Sequence, residues 1–550
     1  MYKWNTPEGL LNLTLDLVGQ ESISGTETEV TMAQHVYDIL KEFAYFKENP
    51  EHLELVPLED DPLGRNSVIA LVKSKRKTDK TLLTVGHIDT VDVEDYNALQ
   101  DICFKPYELT KRIGDLPLTD EVKADLESGS WLFGRGIMDM KAGVAWQMSL
   151  LERYMNDDSL EGNLLFMAVP DEEMQSTGVL AAIPRVNQWI EKFDLAPFAV
   201  LNTEPNFASY PGDDNKYIYL GTAGKLVAGF YFVGQECHVG ESLSGLNVNL
   251  IASEFMRRLE ISTEFSDVVG QEVGVPPTCL KYKDLKRLYS AQTPNTSVAY
   301  FSMQTLAMKP NEMLGKFTQF ANEAMEDAME KLYAQTTVFK NLSKLPVKET
   351  QLTPKVLLYD DLLKIARETI GPSFTTVFED MITRLSKDTG LDERELNTAI
   401  ISEVFRYSNL RGPAVILHFA PPYYPHVGLM QETKVEKSLH ALADKLVMKA
   451  QDRFGEEVLK RKYHQGLTDL SYFALQDAEE VIGALVPNTP SWGRRYKFPV
   501  EEIRKLNLPV INFGPHGRDP HKYTERIELD YSFTKGPALL YEFIEDIFSI

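Results

Sequence analysis

Residues 81–92 read TLLTVGHIDTVD. An apolar run ends in His87 and Asp89, two residues apart. In a strand, residues i and i+2 project to the same face. The spacing therefore places the imidazole and the carboxylate side by side at a strand's C-terminal end, the edge where open α/β sheets gather their binding sites. Similar short apolar runs recur at SVIALV (67–72), NLLFMAV (163–169) and FAVLNT (198–203), each typical of a buried strand.

Between these runs lie helical patterns. Leucines at helical spacing in PEGLLNLTLDLVG (7–19) predict a first helix. SISGTETE predicts a turn, and Thr26 to Leu40 a second, amphipathic helix. A further helical stretch covers 141–156. Strand–helix alternation of this kind predicts an α/β fold, a mixed sheet sandwiched by helices.

Near residue 213 the texture changes. PGDDNK is a polar turn cluster suited to a linker. After it come strand-like KYIYLGTAGKLVAGFYFVG, a helix from about 246 to 259, and long amphipathic helices around 310–334, 359–369 and 374–387. AVILHFAPPYYPH (414–426) reads as a strand ending in a proline-rich loop, and 432–453 as another helix. The strand-and-helix pattern resumes at GLTDLSYFALQD (466–477). The expected organisation is one domain in two pieces, 1–214 and 456–550, interrupted by an inserted α+β domain at 215–455.

Bulk properties agree with this division and exclude several classes. A chain of 550 residues is too long for one core. Hydrophobic residues at 43% and charged residues at 25% are ordinary for a soluble globular protein. With 57 basic and 81 acidic residues the net charge is −24, which repels a phosphate backbone and an anionic membrane. Neither nucleic acid nor membrane is expected as a partner. The three cysteines fit neither a disulfide framework nor a CxxC zinc site. The start MYKWNTPEGLLNLTLDLVGQES has no basic-then-apolar leader, and no apolar run approaches the ~20 residues needed to span a bilayer. A cytoplasmic location is the expectation.

Four more stretches put acids or histidine beside strand ends. WLFGRGIMDMKAG holds Asp139 in a glycine-rich loop before a helix. FMAVPDEEMQSTG ends a strand with Asp171, Glu172 and Glu173, VLNTEP ends another with Glu204, and VINFGPHGRDPHKYTE carries His516 and His521. Taken singly, each has an ordinary explanation. An aspartate in a glycine loop is usually a turn former or N-cap. A DEE run is usually solvated surface, and the GRG at 134–136 lacks the GxGxxG spacing of a dinucleotide loop. Together they form a mixed oxygen and nitrogen ligand set, and zinc accepts both imidazole and carboxylate. A carboxylate can also bridge two metals, and a pair ~3.5–4 Å apart suits hydrolysis.

In their order along the chain, SISGTETE, GHIDTVD, GRGIMDMKAG, PDEEMQSTG, NTEP, GQECHVGESLSGLN, GLTDLSYF and FGPHGRDPHKYTE resemble the M20 metallopeptidase and deacylase family. Acetylornithine deacetylase, succinyl-diaminopimelate desuccinylase and aminoacylase belong to it. The long insert and the N-terminal third are most similar to its arginine-utilisation branch, that of RocB. The resemblance implies a zinc-peptidase-like catalytic domain with an inserted lid, and two divalent metal ions, zinc first, with cobalt or manganese as alternatives. It implies that His87, Asp139 and Glu204 hold one metal and that Asp139, Glu173 and His521 hold the other, Asp139 bridging. Glu172 would be the general base, and Asp89 would orient His87. His516 competes with His521 for the ligand role, and PHKYTE favours His521. His238, in the insert, would steady the tetrahedral oxyanion. His35, His52, His418, His426, His440 and His464 are expected as surface or core residues.

The implied reaction is hydrolysis of an amide bond in an N-acyl amino acid or small peptide, and the branch resembled points to arginine catabolism. A dipeptidase or aminopeptidase of the same fold is the alternative. A catalytically inactive binding homologue would have lost ligands, and here every ligand position is filled. The family's lid carries an arginine that grips a substrate carboxylate, whereas QTPNTSVAYFSMQT has none. Arg406 and Arg411 are the candidates to replace it. The insert is about twice an ordinary lid in length. That suggests a monomer whose doubled lid serves as both halves, against a homodimer through the lid.

Overall fold

Every residue of the strand Asn163–Val169 is buried, as are six of the seven in Asn66–Val72 and seven of the eight in Lys80–His87. Continuous burial without alternation requires cover on both faces of the sheet. The computed structural model describes residues 3–206, 212–348, 350–388, 390–476 and 478–550. Pro211, which opens the expected linker, and Asp477 lie outside these described residues. The chain divides into two units.

The first unit contains Met1–Ala223, Pro425–Gln476 and Pro499–Ile550. It is built on an eight-stranded mixed sheet ordered Leu53–Pro57, Asn66–Val72, Asn163–Val169, Lys80–His87, Ala196–Asn202, Val510–Asn512, Lys216–Tyr219 and Val458–Arg461. Four successive strands, from Asn163–Val169 to Val510–Asn512, run parallel. Their C-terminal ends therefore share one edge, and His87 and the segments leading to Glu172, Glu204 and His521 all leave from it. The helices Pro7–Gly19, Thr28–Lys41, Ala142–Asn156, Lys434–Phe454 and Gly536–Phe548 join one continuous core with Val68, Ala70, Leu82, Leu164 and Phe166. The helix Thr177–Lys192 packs on Asn66–Val72 and Asn163–Val169 as well. It buries Val179, Ile183 and Val186.

The second unit contains Gly224–Tyr424 and Asp477–Phe498. Its sheet has five strands in the order Thr278–Asp284, Thr296–Thr305, Gly224–Val233, Ala414–Tyr424 and Lys355–Leu358. The first four pair antiparallel and the last is parallel. Strand alternation sorts the residues of Gly224–Val233 into two layers. Phe230 meets Phe255 and Phe317 of the helices Val248–Leu259 and Pro310–Ser343, with ring centroids 4.4 and 5.2 Å apart. Tyr231 and Val233 instead join a core with Leu362, Met381, Leu396 and Ile400 of the helices Tyr359–Ile370, Phe374–Ser386 and Glu393–Tyr407.

Three boundaries fall elsewhere than the sequence texture suggests. Lys216–Tyr219 pairs with Val458–Arg461 in the first sheet, so the insert begins at Gly224 and not at residue 215. The helix Lys434–Phe454 belongs to the first unit, where Lys445 and Lys449 reach Asp546 of the last helix at 2.6 and 3.0 Å. Residues 478–498, expected with the second catalytic piece, join the second unit: Asn488 accepts the Phe419 N–H at 2.8 Å and Arg494 pairs with Glu379 at 2.7 Å. An amphipathic pattern records that a face is buried and leaves its partner unspecified. The added length of the insert takes a definite form. Among the described residues, the segment between Pro310–Ser343 and Ala414–Tyr424 adds one four-residue strand and three α-helices to a single sheet. No helix of the described residues is long and apolar enough to cross a membrane.

Candidate active site

At the shared edge of the four parallel strands, Asp139 stands between two histidines. Its Oδ1 lies 3.1 Å from His87 Nε2 and its Oδ2 lies 3.3 Å from His521 Nε2. Each imidazole nitrogen faces a second acid too: His87 Nε2 is 3.6 Å from Glu204 Oε1, and His521 Nε2 is 3.0 Å from Glu173 Oε2. Two clusters of one histidine and one glutamate thus share one aspartate.

Local structure explains how each side chain arrives. His87 is the last residue of its strand, and its Nδ1 lies 3.1 Å from the Asp89 carbonyl oxygen. A carbonyl only accepts, so Nδ1 carries a proton, and Nε2 is the nitrogen that would face a cation once it gives up its own proton. Asp139 sits in the irregular turn Ile137–Lys141 ahead of the helix Ala142–Asn156. Glu204 follows Asn202, where Val510–Asn512 pairs alongside. His521 has φ +63°, an uncommon left-handed conformation for a non-glycine residue, and is the one half-exposed member of the group.

The electrostatics suit a cation. Burial opposes charge on His87, yet Glu204, Asp139 and Asp89 override it and hold its pKa well above the ordinary value. His521 is likewise pushed up to about 11 by Asp139 and Glu173 against its burial. Asp139 is held well below the carboxylate range by the two imidazoles, although burial works the other way. Burial raises Glu172, Glu173 and Glu204, with like-charged neighbours adding to the shift. Acids packed this closely want more positive charge than two histidines supply. The donor atoms of His87, Asp139 and Glu173 lie within 4.8 Å of one another, and a mixed imidazole and carboxylate set fits a borderline divalent cation.

Asp89 meets His87 through its carbonyl and the acid-bearing loop through its carboxylate. Its carboxylate is 3.6 Å from His87 Nδ1, farther than its own carbonyl. The carboxylate instead accepts the backbone N–H groups of Glu172 and Glu173, both at 3.2 Å, and the Ser24 hydroxyl at 2.6 Å. It therefore fixes the loop bearing the acids as much as it fixes the histidine.

His516 does not join the cluster. It is buried against Trp131 and Tyr531, and burial together with Lys216 and Arg518 lowers its pKa to about 3. His238 lies in the second unit, exposed, where its Nδ1 accepts the Gly240 N–H at 3.0 Å. That bond places the ring proton on Nε2, free to donate. Arg406 and Arg411 line a cavity of about 470 Å³ in the second unit with Tyr231, Asn295 and Asn409, and Arg406 also pairs with Glu403. Among the other histidines, His418 is buried with its Nδ1 on a backbone carbonyl, and His464 sits 3.4 Å from the Pro205 carbonyl, next to Glu204.

Sequence reasoning passed over two supporting residues. Glu525 accepts N–H groups from Gly136, Met138 and Asp139 at 3.0, 3.2 and 3.4 Å, and Arg135 at 3.0 Å. It is the acid that closes PHKYTE, and Arg135 is the centre of the GRG set aside as a weak dinucleotide motif. A basic residue beside a glycine turn, with a buried acid far along the chain, was the available signal.

Comparison with known structures establishes the architecture. A tripeptidase from Staphylococcus aureus matches with TM-score 0.52 at 13% identity, covering 99% of both chains. An M20 family metallo-carboxypeptidase from Sulfolobus solfataricus matches with TM-score 0.50 at 12% identity, covering 98% of this chain and 99% of that one. Both likenesses show the fold, an α/β domain interrupted by an inserted α+β domain. The chain belongs to peptidase family M20/M25/M40, whose model matches residues 83–509. It is 39% identical over 540 residues to the uncharacterized protein YqjN of Bacillus subtilis, covering 98% of this chain and 96% of the relative. Protein RocB of the same organism is 33% identical over 539 residues, covering 98% and 94%.

Proposed function

We propose that this hydrolase is a dinuclear metal-dependent amidohydrolase that cleaves an amide bond in an N-acyl amino acid or a small peptide. The observation that supports it most is the division of Asp139, one oxygen toward His87 and Glu204 and the other toward His521 and Glu173. His87, Asp139 and Glu204 would hold one cation, and Asp139, Glu173 and His521 the second. When bound, two such cations lower the pKa of a water and polarise an amide carbonyl. Zinc suits the donors best, with cobalt or manganese as alternatives.

The chain's own residues supply the rest. Glu172 is buried beside the clusters, and burial raises its pKa, which makes it a stronger proton acceptor than an exposed carboxylate. It accepts the proton of the attacking water and returns it to the leaving nitrogen. Asp89 keeps Glu172 in place through the backbone. His238, with its Nε2–H available, is the donor assigned to the developing oxyanion. Full-length similarity to RocB supports a substrate drawn from arginine catabolism.

The test is to purify the chain, count bound metal, and screen N-acyl amino acids and dipeptides with zinc, cobalt or manganese. Two metals per chain and amide cleavage that stops on chelation are the expected results. Full activity after complete metal removal would overturn the proposal. The screen also separates a deacylase from a dipeptidase, because only the latter needs a free amino terminus on its substrate.

A further inference from the structure

The loop after Asn163–Val169 carries both Glu172 and Glu173, and it is held from two sides. Asp89 takes the two backbone N–H groups on one side. On the other stands Asp171, whose φ of +72° is uncommon for a non-glycine residue. Its carbonyl accepts the N–H groups of Met174, Gln175 and Ser176 at 3.3, 3.0 and 2.6 Å, and its Oδ2 accepts that of Thr177 at 3.1 Å. The remaining oxygen, Oδ1, accepts Arg65 Nη1 at 2.7 Å.

Arg65 ties this turn to the far side. The same Nη1 reaches Glu29 Oε2 at 3.0 Å, while Nη2 reaches Asp61 at 2.9 Å. Glu29 Oε2 accepts the Gly25 N–H at 2.7 Å, and the adjacent Ser24 donates its hydroxyl to Asp89 at 2.6 Å. The contacts close a ring through Arg65, Asp171, the Glu172–Glu173 backbone, Asp89, Ser24, Gly25 and Glu29. Arg65, Asp171, Asp89 and Glu29 are all buried.

We infer that Arg65 is a positioning residue for the catalytic loop: its guanidinium locks the Asp171 turn and so sets where the Glu172 and Glu173 side chains stand. The inference rests on the reading of Glu172 as base. A buried carboxylate keeps its charge and place when a cation with good geometry pairs with it. Without Arg65, Asp171 loses the partner that holds its turn, and the acids behind it shift. A displacement of about 1 Å at a reacting group costs on the order of 10²-fold in rate.

The experiment compares wild type with Arg65→Gln, Arg65→Lys and Glu172→Gln. It reads metal content, hydrogen exchange of a peptide spanning 171–177, and turnover of N-acetyl amino acids and dipeptides scored as released amine. Arg65→Gln is expected to keep both metals, to exchange faster at 171–177, and to lose about 10–100-fold in kcat with KM within twofold. Arg65→Lys, which keeps one charged contact, falls between it and wild type. If Arg65→Gln does not fold, Arg65→Lys carries the same comparison. Unchanged exchange at 171–177 together with kcat within twofold in the folded variant would overturn the inference, and so would a general rise in exchange across the first unit. An active Glu172→Gln would instead strike down the base assignment, leaving the exchange result to judge Arg65.

Discussion

Glu525 holds Arg135 by a 3.0 Å ion pair sealed from solvent, across 390 residues of chain. The same carboxylate gathers the N–H groups of the turn that presents Asp139. Removing one partner of a buried pair leaves the other charge uncompensated, which costs about 3–5 kcal/mol. Glu525→Gln should therefore lower the thermal unfolding midpoint of the first unit. It should also weaken metal binding by about 10–100-fold, the usual effect of losing a group that orients a ligand. Calorimetric scanning and chelator competition check the two effects; a variant with unaltered metal affinity would contradict the link to Asp139.

Asp139 serves both clusters, whereas His521 serves one. Asp139→Asn should thus release both metals, and His521→Ala should leave one per chain. Elemental analysis of the purified variants gives the counts. Equal stoichiometry in the two would show that Asp139 is not shared.

Glu172 is buried beside the clusters, and the part proposed for it is proton transfer. Glu172→Gln keeps the size of the side chain and removes the basic oxygen. Turnover should fall by about 10²–10⁴-fold, the range for general acid–base catalysis, with both metals retained. Steady-state rates on the best substrate from the screen, paired with metal analysis, decide the matter.

The histidines predict a pH effect in the metal-free protein. His521 has its pKa drawn up to about 11 by Asp139 and Glu173 against burial, and His87 is raised too. A raised folded-state pKa contributes stability that is complete below the unfolded value near 6.5 and is lost as pH rises through about 11. Metal needs the same nitrogens without their protons. Loading zinc at pH 7 should therefore release protons, and affinity should increase with pH. Titration calorimetry of chelator-stripped protein in buffers of different ionisation enthalpy measures the release; heats independent of buffer would contradict it.

Gly143 offers a packing test. A Cβ there would meet the Thr203 carbonyl oxygen at 2.2 Å, next to Glu204. Thr203 in turn donates its hydroxyl to the Gly143 carbonyl at 2.9 Å. Gly143→Ala must push helix from strand, an overpacking cost of about 1–3 kcal/mol. The expected outcome is a lower melting temperature and a weakened metal site on the Glu204 side, read by stability and metal affinity together.

Much of this was legible in the residues. Strand-end acids and histidines came from short apolar runs, and Asn163–Val169 forms over the very residues that read as a strand. The helix Pro310–Ser343 runs nine residues beyond its expected end, and Glu393–Tyr407 was not anticipated. Both lie in the insert, where amphipathic patterns overlap and turn signals are weak.

Local sequence determined which residues could be ligands, because burial and periodicity are written into a few neighbouring side chains. It did not determine that Val510–Asn512 lies beside Ala196–Asn202, that Glu525 returns to Asp139, or that Lys434–Phe454 joins the first core. Those pairings depend on complementary surfaces hundreds of residues apart, and only the folded chain brings those surfaces together.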